Sequence, residues 1–272
     1  MPYSLREVSD AVESLWPIAG AEGWDASGLI AGHPDDSVST VLLAVDAVAE
    51  TADEALDSRA DLLLVHHPLL LRGVTSIAAD RYKGSILTRL IRGNCALLAA
   101  HTNADVVGDG TSGVLAQRLG LVDVAPIVPH TDPEAGIGRV GRLTEPLSLG
   151  HLAQALGKIL PATATGIRVS GDYDSMVQTI ALCGGAGDSL LSTDAVTHAD
   201  VYVTSDLRHH PASEAREQAG LGRGPALIDV SHWASEWLWL DVAAEQLRQR
   251  LPDLSVQVSE IRTDPWDFVV TQ

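Results

Sequence analysis

Cysteine is scarce in this chain: its 272 residues include two, Cys95 and Cys183. Each sits inside an apolar run, which suits a buried reduced thiol and offers neither a disulfide framework nor a Cys-x-x-Cys metal pair. Positive charge is scarce as well. Lys and Arg total 18 against 36 Asp and Glu, a formal net charge of −18. A surface of that sign repels phosphate backbones, and no basic cluster interleaved with aromatics offsets it, so nucleic acid is not an expected partner. Long hydrophobic runs are missing. The longest, such as Leu62–Val65 and Ala96–Ala100, are strand-length and far short of the roughly 20 residues that cross a bilayer. No membrane partner is expected either. The start, Met1-Pro2-Tyr3-Ser4, has neither the basic nor the apolar region of a secretory signal. These absences together lead to the expectation of a cytoplasmic protein.

Hydrophobic residues make up 46% of the chain, which excludes a disordered polymer and allows one large domain or two modest ones. Apolar residues at three- and four-residue spacing predict a helix from about Ser4 to Trp16. Trp24–Gly32 reads as a turn feeding a short strand. Buried strands are expected at Val41–Asp46, Leu62–Val65 and Ala96–Ala100, with helices near Val48–Ser58 and Lys83–Arg92 between them. Thr111 or Ser112 is placed to cap a short helix to Leu119.

The pattern then recurs. Strands are expected at Thr179–Cys183, Asp200–Thr204 and Ala226–Val230, with Gly184–Gly187 turning into a helix near Leu190–Ala195 and another helix at Ala212–Ala219. Ala60-Asp61 precedes one strand as Ala199-Asp200 precedes its counterpart. The offset from Val41 to Leu62 equals that from Ile180 to Val201. This is an internal pseudo-repeat of strand–helix units. The Pro/Gly/His-rich stretch Pro126–Gly141 suits a linker between the copies. A long helix is expected from Glu236 to about Leu251, with a last strand at Leu254–Ile261. The fold class is therefore α/β with two related lobes, residues 1–125 plus 232–272 forming one and 126–231 the other.

Chemistry collects at the predicted strand ends. His66, His67, His101 and His232 each follow a buried strand, and a carboxylate lies four residues after two of them, Asp105 and Glu236. Four-residue spacing sets both groups on one face of a helical turn, close enough to hold one cation. Mixed imidazole and carboxylate donors suit Zn, Mn or Fe. Adjacent histidines on extended backbone point to opposite sides, so His66 and His67 are expected to serve different ions. A lone strand-end histidine is more often a hydrogen-bonded core residue, and a lone His-x-x-x-Glu pair more often a solvated one. The repetition and the double histidine point instead to metal. Gly184–Gly187 lacks the Lys-Ser/Thr of a P-loop, and neither His-Glu-x-x-His nor Gly-x-Ser-x-Gly occurs. His209-His210 is a further pair, although Arg208 beside it favours substrate binding or surface exposure. Trp233, Trp237 and Trp239 read as core or interface.

At these residues the chain resembles the Nif-three-like family, whose members are often labelled GTP cyclohydrolase I type II homologs. Trp24-Asp25 through Gly32, His66-His67-Pro68-Leu69, His101-Thr102-Asn103-Ala104-Asp105, Gly136–Gly141 and His232-Trp233-Ala234-Ser235-Glu236 follow the family's motifs in order. The resemblance implies two divalent ions, with His66 and His232 on one, His67 and Asp105 on the other, and Glu236 bridging. His101 matches a position near the ions. It also implies two α/β lobes assembled as a toroidal hexamer. Two departures stand out: Ala26-Ser27 where the family usually has Asn, and Gly110-Thr111-Ser112-Gly113 where it usually has Gly-x-Asn/Ser-Asp.

The expected function is a dinuclear metal-dependent hydrolase of a small molecule, either a purine nucleotide such as GTP or a phosphoester, with His101 or His210 as proton shuttle. The rival expectation is a non-catalytic metal-binding assembly or regulatory protein.

Overall fold

The computed structural model describes residues 2–271. Within them the chain forms two compact α/β units. One holds the residues up to Ala104 together with Leu240–Thr263, and the other Asp105–Trp239 with the residues from Asp264 on. The sequence had drawn these lines at 125/126 and 231/232. The first of these approximate lines falls earlier because Val122–Ala125 pairs with the Arg139–Ser148 strand of the second unit. Pro126–Gly141 is accordingly no linker: Val128–Pro129 pairs with Gly136–Ile137, and Arg139 already belongs to the sheet.

The first unit carries a five-stranded sheet in the order Ser255–Val258, Thr40–Ala44, Leu62–Val65, Ala96–Ala99, Gly28–Ala31. The first four strands run parallel and Gly28–Ala31 antiparallel. Leu62–Val65 is fully buried, the apolar run expected of a parallel strand covered on both faces. Helices Ala49–Asp57 and Tyr82–Arg92 make the right-sized crossovers, packing Ala52, Ala55, Ile86, Leu87 and Leu90 into a core with Leu63 and Leu97. The first helix, Leu5–Leu15, begins where the sequence placed it, with Ser4 and Glu7 forming a capping box.

The second unit carries six strands, in the order Arg168–Ser170, Ala226–Val230, Val201–Ser205, Met176–Ala186, Arg139–Ser148, Val122–Ala125. Its Met176–Ala186, Val201–Ser205 and Ala226–Val230 strands are parallel. The Gly184–Gly187 segment differs from expectation. The strand runs on through Ala186, with a register shift between Leu182 and Ala186; a 3-10 turn follows at Asp188–Leu190, and α-helix returns only briefly, at Asp194–Thr197. His209-His210 opens the Ala212–Ala219 helix three residues earlier than expected, at His209. The long helix likewise starts at His232 itself and ends at Arg250. Gly110, rather than Thr111 or Ser112, occupies the N-cap of the Thr111–Arg118 helix. No described helix is long and apolar enough to cross a membrane.

The pseudo-repeat holds at atomic detail. Val41 pairs with Leu62, and Ile180 pairs with Val201. In the first unit one carboxylate oxygen of Asp61 accepts from Ser39 N and Thr40 N, at 2.8 and 3.0 Å. In the second, one oxygen of Asp200 accepts from Gln178 N and Thr179 N, both at 2.8 Å. Asp61 N donates to Thr40 O and Asp200 N to Thr179 O. Each Ala-Asp thus ties the entry of one strand to the entry of its neighbour.

Cys95 and Cys183 are both buried free thiols. Burial pushes Cys95 up to about 11 and Cys183 up to about 12, which leaves little reactive thiolate near neutrality.

Replacing Asp61 or Asp200 by Ala removes two charge-assisted hydrogen bonds at a partly solvated strand entry. Each change is expected to cost about 1 kcal/mol, read by urea denaturation, with the two costs additive because the sites lie in separate units. A double variant no less stable than either single one contradicts this account.

Candidate metal centre

Parallel pairing sets the ends of neighbouring strands level, and this organises the first unit's histidines. Ala44, Val65 and Ala99 are register partners across three strands. The ladder continues one step beyond them: His66 N donates to Ala44 O, His67 N to Val45 O and Ala100 N to Val65 O. Past that step the chain bends at His66-His67. The two rings therefore lie on the same side, with centroids 5.0 Å apart, rather than on opposite sides as extended backbone would place them. His101 joins them, its ring 5.1 Å from His66 and 5.5 Å from His67. Nitrogen atoms of all three fall within 4.8 Å of one another.

What each ring does with Nδ1 decides what Nε2 can do. His66 is fully buried, and its Nδ1 lies 2.9 Å from Ala100 O. A carbonyl oxygen only accepts, so Nδ1 carries the hydrogen and Nε2 of the neutral ring carries the lone pair. His67 Nδ1 meets Asp46 Oδ1 at 2.8 Å, and His101 Nδ1 meets Asp25 Oδ1 at 2.8 Å. Both carboxylates impose the same tautomer. Asp25 also accepts from Ala26 N, Ser27 Oγ, Thr102 N and Thr102 Oγ1. Burial alone would raise its pKa. Hydrogen bonds from His101 and Thr102, with the charge of His101, outweigh that and hold it well below the usual carboxylate range. Trp24 stands edge-on to His101, its ring 5.8 Å away and 61% exposed.

The second unit repeats this chemistry on a helix. His232 opens the long helix directly after the Ala226–Val230 strand, and Glu236 follows one turn later. His232 Nδ1 lies 2.7 Å from Asp206 Oδ2, and Nε2 lies 3.0 Å from Glu236 Oε1. Asp206 is the first residue past its strand and takes a left-handed φ of 58°, which turns its carboxylate toward the histidine. Burial would lower the His232 pKa, but Glu236 and Asp206 outweigh it and raise it well above the ordinary value. Gly185 completes the arrangement. Its φ is +70°, and a Cβ there would sit 2.3 Å from Glu236 Oε1 and 3.2 Å from His232 Nε2. Gly185, in the irregular end of the Met176–Ala186 strand, is thus the floor on which these two side chains rest. Asp105, in the same unit, accepts a hydrogen bond from Thr111 Oγ1.

His210 stands apart. It is exposed on the first turn of its helix with its ring against His209, and among the described residues it belongs to no set of converging donors. Arg208 is exposed too and pairs with Asp188 at 2.8 Å. Asp25, Asp46 and Asp206 carry roles that sequence reading missed. Their signal was present: each lies near a predicted strand end, where the histidines also cluster.

The donor set suits a divalent cation. Imidazole nitrogens oriented by carboxylate or carbonyl acceptors are the usual surroundings of metal-bound histidine. The 3.0 Å between His232 Nε2 and Glu236 Oε1 is close to the roughly 3.3 Å separating two ligands of a tetrahedral ion. A proton shared by that pair would satisfy the same geometry.

Comparisons with known proteins converge. The sequence model of the family described as Duf34/NIF3 (NGG1p interacting factor 3) matches residues 3–265. A Streptomyces coelicolor protein named GTP cyclohydrolase 1 type 2 homolog is 49% identical, over 96% of this chain and 93% of its own. A Clostridium perfringens protein of the same name is 31% identical, over 97% and 99%. Among solved structures, a Staphylococcus aureus hypothetical protein, SA1388, superposes with a TM-score of 0.89 at 26% identity, covering 99% of this chain and all of that one. A Bacillus cereus protein related to NIF3 gives 0.89 at 23%, covering 98% and 99%.

Gly185→Ala forces both a strained φ and a clash with Glu236, and is expected to cost about 1–3 kcal/mol in chemical denaturation. A cost below that of an ordinary surface substitution contradicts the floor. Asp25 gives a pH signature. Its depressed pKa means its stabilisation is complete above the unfolded value of about 4 and is lost as pH falls below it. Asp25→Asn should therefore destabilise at pH 7, with the gap from wild type narrowing in acid.

Proposed function

The chain belongs to the Duf34/NIF3 family, and from that premise we propose that it is a dinuclear metal-dependent hydrolase. His66, His67, Asp105, His232 and Glu236 are the proposed ligands of two divalent ions of Zn, Mn or Fe, with Glu236 bridging. One observation carries this reading: all four histidines are tied down at Nδ1 by an oxygen acceptor, which leaves Nε2 as the atom to meet a cation, with His232 giving up the proton it holds against Glu236 when an ion binds. Such ions supply Lewis acidity and bring the pKa of coordinated water to about 7. The chain's own residues do the rest. Asp25 holds His101 in the tautomer that can accept a proton at Nε2, and Thr102 and Ser27 hold Asp25. His101 rather than His210 is the proposed proton carrier, because it lies among the converging histidines whereas His210 does not.

Two substrate classes fit. The relatives' name, GTP cyclohydrolase 1 type 2 homolog, favours a purine nucleotide; a phosphoester uses the same two-ion chemistry. The family description names an interacting factor rather than a reaction, and this favours a second reading, a non-catalytic metal-binding assembly or regulatory protein.

The homo-oligomer, a hexamer by family resemblance, stays part of the proposal. Trp233 and Trp239 are buried in the chain itself, whereas Trp266, Phe268, Val269 and Val270 are 61%, 80%, 59% and 73% exposed near its C-terminal end. Apolar surface of that kind marks association.

Reconstituted protein should hold about two ions per chain, and Glu236→Ala should lose more metal than His66→Ala, by elemental analysis. His101→Ala should keep its metal while slowing turnover in a screen of nucleotides and phosphoesters. Turnover that never appears under zinc, manganese or iron loading moves the assignment to the binding-protein reading. Light scattering should return a multiple of the chain mass, and removing residues 266–272 should lower it. A full-length monomer at micromolar concentration refutes the oligomer.

A further inference from the structure

The Gly110–Gly113 segment, where the sequence leaves the family pattern, packs directly against a proposed ligand. Thr111 is fully buried, and its hydroxyl donates to Asp105 Oδ1 across a short, tightly turned loop. That loop is braced from three sides. The Arg139 guanidinium, itself buried, donates to the carbonyls of Val106 and Val107 and to those of Gly136 and Gly138. Gly113 fits so closely under Gly108 that a Cβ would stand 2.0 Å from the Gly108 carbonyl oxygen. Ser112 Oγ accepts from Gly184 N at 3.0 Å, and Gly184 has room for no side chain larger than hydrogen without pressing on Thr111.

Neither hydroxyl caps the helix, whose N-cap is Gly110: Thr111 is committed to Asp105 across the loop and Ser112 to Gly184 in the neighbouring strand. A threonine at the N-terminus of a helix would ordinarily satisfy a backbone N–H. Here Thr111 instead fixes how the Asp105 carboxylate is turned. A hydroxyl donating to a carboxylate is the outer contact that sets a metal ligand's orientation, and loss of such a contact weakens metal affinity without removing a ligand.

We infer that Thr111, at the position the family pattern leaves unspecified, is a positioning residue for the Asp105 half of the proposed metal site. The inference rests on Asp105 being a ligand, as proposed above. Arg139 is its structural support, holding the loop on which Asp105 and Thr111 face each other.

The test is calorimetric titration of zinc into the metal-free full-length chain, for wild type, Thr111→Val, Thr111→Ser and Asp105→Asn. Thr111→Val preserves shape and removes the hydroxyl. It should weaken one of two binding steps by about 10–100-fold and leave the other alone. Thr111→Ser keeps the hydroxyl and should restore wild-type affinity. On the Asp105→Asn background, Thr111→Val should cause no additional loss, because the hydroxyl acts through that carboxylate. Melting of the metal-free proteins controls for folding, and Thr111→Ala substitutes if Thr111→Val does not fold. Two unchanged binding steps in Thr111→Val overturn the assignment, as does a Thr111→Ser protein impaired as deeply as Thr111→Val. A wild type that binds no zinc overturns the dinuclear reading beneath it, and the two failures are told apart by the wild-type titration alone.

Discussion

The structure turns on a hydrogen bond from one ring nitrogen. An imidazole has two nitrogens, and a neutral ring donates from one and accepts at the other. His66, His67, His101 and His232 are each engaged at Nδ1 by an oxygen acceptor, one backbone carbonyl and three carboxylates. The acceptors are not incidental to the fold. Ala100 and Asp46 lie just past strands neighbouring the Leu62–Val65 strand that His66 and His67 follow, and Asp206 lies past the neighbour of the strand that His232 follows. Parallel pairing brings these residues to the same sheet edge, and that edge is where α/β folds collect polar function. The sheet therefore does more than support the histidines. It delivers the acceptors that choose their tautomer.

Most of the fold was legible because its strands are read from local composition. Leu62–Val65 and Ala226–Val230 are short apolar runs bounded by polar residues, and the structure places them at the same limits. The equal offset between paired strands was visible too, since a crossover of fixed length fixes the register it returns to. What local reading missed was long-range. Gly184–Gly187 looks like a turn by composition. The strand instead carries an irregularity there between its pairs at Leu182 and Ala186, and the missing side chain of Gly185 makes room for Glu236 and His232 rather than reversing the chain. The unit boundary moved for a similar reason: nothing local in Val122–Ala125 announces that its partner is Arg139–Ser148.

The site was legible in its histidines and less so in their arrangement. Strand-end position and repeated spacing named His66, His67, His101 and His232. The convergence of His66 and His67 depends on a bend that a two-residue alternation rule does not see. His210 was chosen for its type alone, and exposure on a helix surface sets it apart. The supporting carboxylates escaped because their role exists only across strands: Asp46 and His67 are 21 residues apart, and Asp25 and His101 are 76 apart.

Asp61 and Asp200 pin their sheets at the strand entries, one full strand length away from the edge that carries the histidines. Alignment and chemistry are consequently assigned to opposite ends of the same strands. Residues at the functional edge can be exchanged without loosening the lattice of backbone pairs, since the anchoring is done elsewhere. The two units show that separation: one presents three histidines, the other a histidine and glutamate on a helix, and both have the same anchor. The Ala-Asp pair is what the two units share, and the strand ends are where they differ.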